Sequence, residues 1–316
     1  MYGYENYQKV KNEIESRRLV AIAEADARNA EVRLESDEIR EIDDELVGTG
    51  LLLFKTACEG RDITPIRERN AQLVKKRRKV LKALGYPEDY TEVKYTCPLC
   101  SDSGYTGTGM CSCFRELLLK ENIRSSGIGN LIEKQSFENF DLTKYEDETV
   151  RKRMARNYSV ARGFADNFGS TEETKNLLLI GPTGTGKTHI STAIAKTVIE
   201  RGYEVLYDSA QNIISAFEQD RFRSGYGPYE PKGEKYMECD LLIIDDLGTE
   251  FVNQFTVSCL YNLLNTRLNK GLASIISTNL SPEELSRKYE DRIYSRIVGK
   301  DSIILLFGGK DNRLSN

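Results

Sequence analysis

The octapeptide GPTGTGKT, Gly181 to Thr188, has the glycines, lysine and hydroxyl that phosphate binding needs. Gly181, Gly184 and Gly186 let the backbone turn its N–H groups inward around phosphate oxygens, and a helix starting at the end of the loop adds its positive end. Pro182, Thr183 and Thr185 complete the loop. Lys187 brings a point charge for the β- and γ-phosphates, and the Thr188 hydroxyl is a ligand for Mg2+. Further along, LLIIDDLG places Asp245 and Asp246 at the end of an apolar run. Two adjacent carboxylates there are costly unless a cation sits nearby. Asp245 is therefore read as holding the metal, directly or through water, and Asp246 as orienting and deprotonating the attacking water. Asn279, in ASIISTNL, is placed to hydrogen-bond the same water. Arg292 and Arg296, four apart in DRIYSRIVG, share a helical face. Taken singly, the acidic pair reads as a helix cap and the arginines as surface ion pairs. Their order after the phosphate loop favours the catalytic reading.

A second chemistry is concentrated in KYTCPLCSDSGYTGTGMCSCF, where Cys97, Cys100, Cys111 and Cys113 fall within seventeen residues. Cys-x2-Cys suits structural zinc, because two thiolates on one tight turn meet a tetrahedral ion without strain. The closing Cys-x-Cys is less usual, and an iron–sulfur cluster or free buried thiols are the competing readings. Zinc is favoured because the segment has few apolar residues to fold around, and a structural ion supplies on the order of 10 kcal/mol. Cys58, Cys239 and Cys259 read as small core residues.

The elements that must position these groups follow from periodicity. Ile14, Arg18, Ala21, Ala25, Arg28, Val32, Glu35, Ile39, Ile42 and Leu46 mark one long amphipathic helix, broken by Gly48 and Gly50. A second helix starts at Thr64 with Pro65 in its first turn and ends at Gly85 and Pro87. It carries the basic run KKRRK (Lys75 to Lys79), read as a solvated face in preference to a nucleic-acid patch. From about Ser136, the apolar runs NLLLIG, EVLYDS, DLLIIDDLG, ASIISTNL and SIILLF alternate with helical stretches. Runs apolar on both faces, separated by helices, predict buried parallel strands in an α/β domain. The expected division is a helical docking module over 1–90, a zinc-binding knuckle over 91–125 and an ATPase domain over 126–316.

Composition limits the partners. A formal net charge of −4 over 316 residues argues against coating nucleic acid through bulk positive charge. No apolar run is long enough to span a bilayer, and the start is charged where a signal peptide is apolar, so a cytoplasmic protein without a membrane partner is expected.

The ordered set GPTGTGKT, LLIIDDLG, STN and DRIYSRIVG resembles the AAA+ ATPases. More narrowly it is similar to the bacterial replicative helicase loaders of the DnaC/DnaI type and to their relative, the transposition helper IstB. The resemblance covers roughly Ser136 to Arg313, with the cysteine stretch just ahead. It implies a parallel-sheet AAA+ core without a C-terminal lid, ATP and Mg2+ at Gly181–Thr188 and Asp245, Asp246 in the second acidic motif, and Asn279 as first sensor. Arg296 is then an arginine finger offered to a neighbouring subunit. It also implies a ring helicase gripped by the N-terminal region, single-stranded DNA as ligand, and self-association through the ATPase domain. In the initiator and loader branch, the segment before the acidic motif carries a single-strand element. Here Arg221, Phe222, Arg223 and Tyr226 combine charge with stacking surfaces. Two departures stand out. Asp246 replaces the usual glutamate, which implies slow turnover, and only twenty residues follow Arg296, leaving Arg313 as the sole candidate second sensor. A helicase loader is the reading this supports. A transposition helper, a small-molecule kinase and a DNA adaptor that has lost hydrolysis are the rivals.

Overall fold

The computed structural model describes residues 3–107, 109–129, 131–170, 176–222, 231–300 and 302–311. The chain divides into two compact units, Lys11–Phe114 and the remainder, Met1–Val10 with Arg115–Asn316.

Helices α1 (Tyr4–Glu35), α2 (Asp37–Cys58) and α3 (Thr64–Ala83) supply the first unit. The single long helix expected from the apolar stripe is two helices. Ser36 takes an extended backbone (φ −133°) and its side chain accepts the Ile39 N–H, while Asp37 and Glu38 place negative charge on the new helix start. The same stripe passes through the break, so periodicity alone does not reveal it. Nor do Gly48 and Gly50 end α2, which continues to Cys58. An interior glycine costs only about 1 kcal/mol, and α2 is tied to α3 by Thr49–Asn70, Glu45–Arg69 and Asp43–Arg77. Val32, Ile39 and Leu81 form a small core between the three helices. Cys58, expected in a core, is exposed at the end of α2.

Three members of KKRRK are in ion pairs within the unit: Lys76 with Glu38 at 2.9 Å, Arg77 with Asp43 at 2.6 Å, and Arg78 with Glu92 at 2.9 Å. Arg77 also donates to Asn29 at 2.8 Å and Thr91 at 2.5 Å. Short strands β1 (Tyr105–Thr106) and β2 (Gly109–Met110) pair antiparallel between the two cysteine pairs.

The second unit is built on a five-stranded parallel sheet, β3 (Asn176–Ile180), β4 (Val205–Ser209), β5 (Leu241–Leu247), β6 (Ala273–Thr278) and β7 (Ser302–Leu306), in spatial order β4-β5-β6-β3-β7. These are the five apolar runs read from the sequence. Because successive residues of a strand face opposite ways, Leu177, Leu179, Ile243 and Ile275 join one core and Leu178, Ile180, Leu242, Ile244 and Ile276 the other. The first core is covered by α6 (Glu148–Asp166) and α7 (Lys187–Glu200), and the second by α8 (Ala210–Phe222), α10 (Gln254–Lys270) and α11 (Pro282–Ile297). Helices α4 (Ser112–Ser125), α5 (Leu131–Lys134) and α9 (Glu234–Glu238) and a short 3-10 turn at Leu142–Lys144 complete the described elements. A parallel sheet covered on both faces, with a phosphate loop leaving one of its strands, is the phosphate-loop α/β architecture expected from the sequence. Among the described residues, no helix is long and apolar enough to cross a membrane.

Candidate functional site

The loop Gly181–Gly186 leaves the C-terminal end of β3 and runs into α7, the crevice position where open α/β sheets bind ligands. Two of its glycines have a stated necessity. Gly184 (φ +76°) lies so close to the Asp311 carboxylate that a Cβ would overlap it, and Gly186 (φ +95°) caps α7 in the left-handed region. Thr185 is fully buried, its hydroxyl donating to Pro182 O at 2.7 Å and its carbonyl accepting from the Tyr145 hydroxyl at 3.0 Å. The buried Lys187 ammonium donates to the carbonyls of Gly181 at 2.6 Å and Pro182 at 2.9 Å, and to Asn279 Oδ1 at 2.7 Å. Asn279 also donates to the Thr183 hydroxyl at 3.3 Å. The residue after β6 thus meets the phosphate loop directly, and the strand's last residue, Thr278, accepts the Gly181 amide at 3.2 Å.

The acidic pair owes its geometry to a bulge. Between Ile244 and Leu247, β5 uses one residue more than its partner β6, whose Ile276 and Thr278 are their register mates. In a regular strand, Asp245 and Asp246 would face opposite sides of the sheet; a bulge re-aims a side chain. Asp246 adopts φ +52°, uncommon for a residue with a Cβ, and its amide donates to Ser277 Oγ at 3.0 Å. It lines the cleft beside Lys187 and Thr188. Asp245 instead accepts hydrogen bonds from the hydroxyls of Tyr207 and Ser277. Burial and then the Asp245 charge hold the Tyr207 phenol far above the ordinary tyrosine range. Tyr207 and Ser277 were not singled out in the sequence. The signal for them is their place at the ends of the strands flanking β5.

The cleft has a volume of about 210 Å³ and is also lined by Gln135, Asn139, Phe140, Tyr145 and His189. Phe140 meets His189 edge-on at 5.1 Å, whereas Phe137 is buried against Tyr158. Of the two phenylalanines in SFENF, one faces the cleft and the other is core. His189 Nε2 lies 2.8 Å from the Ser136 carbonyl, which fixes the neutral ring with its proton on that nitrogen, and burial lowers its pKa.

Residues 126–300, more than half of the chain, match the family described as IstB-like ATP binding protein. The chain belongs to that family. The replicative helicase loader DnaC of Escherichia coli (strain K12) is 25% identical over 193 residues, which cover 61% of this chain and 75% of DnaC. The chromosomal replication initiator protein DnaA of Rickettsia massiliae (strain Mtu5) is 30% identical over 142 residues, 44% of this chain and 30% of DnaA. Among solved structures, the crystal structure of the DnaC helicase loader superimposes with a TM-score of 0.47 at 19% identity, covering 56% of this chain and 98% of the other.

In this IstB-like chain, Arg296 stands apart from the nucleotide cleft. Its guanidinium donates to Asn265 Oδ1 at 2.9 and 3.0 Å and to the Tyr261 hydroxyl at 2.9 Å, and stacks 4.3 Å from the Tyr261 ring. It borders a small cavity with Asn176, the first residue of β3, whereas the phosphate loop follows the last. Five strand residues separate those ends by roughly 15 Å.

On α8, Arg221 and Phe222 are both exposed, and the Arg221 guanidinium lies 5.5 Å from the Phe222 ring and 5.0 Å from that of Phe255. Arg223, Tyr226 and Arg313 lie outside the described residues.

In the other unit, the sulfurs of Cys97, Cys100, Cys111 and Cys113 all lie within 4.8 Å of one another. Cys97 and Cys111 are 3.8 Å apart, and Cys100 and Cys113 are 3.5 Å apart. A single tetrahedral ion with metal–sulfur bonds of about 2.3 Å spaces its ligands by about 3.8 Å, so the four thiols fit one ion. The Cys100 backbone N–H draws the Cys97 thiol down to about 7, toward the thiolate that binds metal, while burial raises Cys113. Asp102, buried at φ +50°, accepts the amides of Thr96 at 2.7 Å and Cys97 at 2.8 Å and so shapes the first turn. No spacing rule pointed to it.

Proposed function

We propose that this chain hydrolyses ATP as a slow cytoplasmic switch that loads a ring-shaped replicative helicase onto single-stranded DNA. The observation that carries the ATPase part is the convergence of Lys187, Thr188 and Asp246 on one cleft, with Asn279 hydrogen-bonded to Lys187 and Asp245 beside Asp246 at the bulge. The helicase-loading part is supported by the similarity to DnaC over 61% of the chain.

The chain's own groups divide the work. Loop amides and the start of α7 receive the phosphates, and Lys187 exchanges its carbonyl and Asn279 partners for phosphate oxygens. Thr188 and Asp245 would hold Mg2+, which when bound neutralises charge on the β- and γ-phosphates. Asp246, aimed into the cleft by the bulge, accepts a proton from the attacking water, and Asn279 orients that water once Lys187 has turned to the phosphates. Arg296 serves a neighbouring subunit's ATP. Its distance from its own phosphate loop supports that assignment and self-association through the ATPase domain. Arg221 and Phe222 present charge and stacking surface to a single strand, and the sequence after them adds Arg223 and Tyr226 as residue types of the same chemistry. Zinc at Cys97, Cys100, Cys111 and Cys113 would brace the segment that follows the docking helices, in a division of 1–90, 91–125 and 126–316. An iron–sulfur cluster fits less well, because its own irons and sulfides force the thiolates farther apart.

The test is co-purification of the full chain with a ring helicase from the same cell, followed by ATPase assays with and without single-stranded DNA. Stable capture and a DNA-stimulated rate are expected. The family match favours one second reading, an IstB-like helper that delivers a transposase to DNA. Capture of a transposase without a helicase would establish that reading and overturn the first.

A further inference from the structure

We propose that Tyr207 is a positioning residue that orients Asp245 for the magnesium ion. The proposal rests on the reading of the cleft as a Mg–ATP site. The Tyr207 O–H donates to the Asp245 carboxylate. One side chain from the edge strand β4 therefore holds the acidic residue at the bulged end of β5, a hard-oxygen ligand.

The phenol is well suited to this task. A carboxylate has room for about four acceptor contacts. The hydroxyls of Tyr207 and Ser277 fix the orientation of Asp245 without using all of them, so lone pairs remain for a cation. A cationic partner would do the opposite, competing with the metal for the same negative charge. Metal ligands are commonly oriented by such outer partners.

Tyr207 is itself fixed from outside the sheet. Its amide donates to the Ser126 carbonyl at 2.7 Å, and the next residue, Gly127, packs so tightly on the Tyr207 carbonyl that a Cβ there would lie 2.4 Å from the oxygen. The segment after α4 thus grips the edge strand at the residue whose side chain touches the acidic motif. A tyrosine kept only to fill the core would need neither the hydroxyl partner nor this backbone clamp.

The variant Tyr207→Phe keeps the ring and deletes the hydroxyl. Binding of a fluorescent ATP analogue is measured in the full chain while Mg2+ is titrated, and again in EDTA. The half-saturating Mg2+ concentration should rise on the order of tenfold or more, with affinity in EDTA unchanged. An unchanged Mg2+ requirement, or an equal loss of affinity in EDTA, would overturn the proposal. Wild-type protein that fails to bind the analogue at any Mg2+ concentration would overturn the Mg–ATP reading itself, so the two failures are distinguishable.

Discussion

The Lys187 ammonium lies 2.7 Å from the Asn279 side-chain oxygen, so the loop lysine is joined to the residue that follows β6. Lys187→Ala should abolish nucleotide binding, because the main phosphate charge in the loop is gone. Asn279→Ala should leave binding intact or slightly tighter while slowing turnover. Equilibrium binding of a labelled ATP analogue, paired with phosphate release, checks both. A severe loss of binding in Asn279→Ala would place that residue in ground-state recognition.

Asp246→Asn preserves size and the strained backbone of the bulge but removes the base. Nucleotide affinity should persist and phosphate release should drop by roughly 10²–10⁴. Hydrolysis at the wild-type rate would remove Asp246 from the mechanism.

Elemental analysis of gently purified protein should find one zinc per chain. Cys100→Ser or strong chelation should loosen the cysteine unit, seen as faster proteolysis between Cys97 and Cys113, while nucleotide affinity survives. Iron with visible absorbance would replace zinc with a cluster.

Arg296→Ala should still bind ATP, since its partners are Tyr261, Asn265 and the Arg292 carbonyl and none of them lines the nucleotide cleft. Mixed with Lys187→Ala, it should recover part of the lost activity, because some interfaces join a working cleft to a working arginine. No recovery in mixtures proven to co-assemble would return Arg296 to a structural role, tying α11 to Tyr261 and Asn265 of α10.

Glu121 offers a pH prediction. Hydrogen bonds from Arg124 first and Lys9 next hold its carboxyl down at about 2, against a reference value of 4.5. A depressed carboxylate stabilises the fold above its unfolded value, and the contribution is lost as pH falls from 4.5 toward 2. Glu121→Gln should melt lower at neutral pH and show a flatter decline across that acid window.

What could be read from the chain alone is what composition and short-range spacing control. A strand buried on both faces is apolar at nearly every position, so the inner strands β3 and β5 announced themselves most clearly, while the edge strands β4 and β7 are only partly buried. A phosphate loop is made of backbone and glycines, so eight consecutive letters specify it. Local patterns failed where a competing local signal or distant packing prevailed. The break at Ser36 is decided by a cap that the apolar stripe conceals, and α2 crosses Gly48 and Gly50 because α3 lies beside it. The sequence placed Asp245 and Asp246 side by side, but only pairing with β6 produced the bulge that sends one to the cleft and leaves the other to Tyr207. Tyr207 lies 38 residues from Asp245, and Asn279 lies 92 from Lys187. Contacts at such separations are fixed by strand order and register, which no single stretch of sequence encodes.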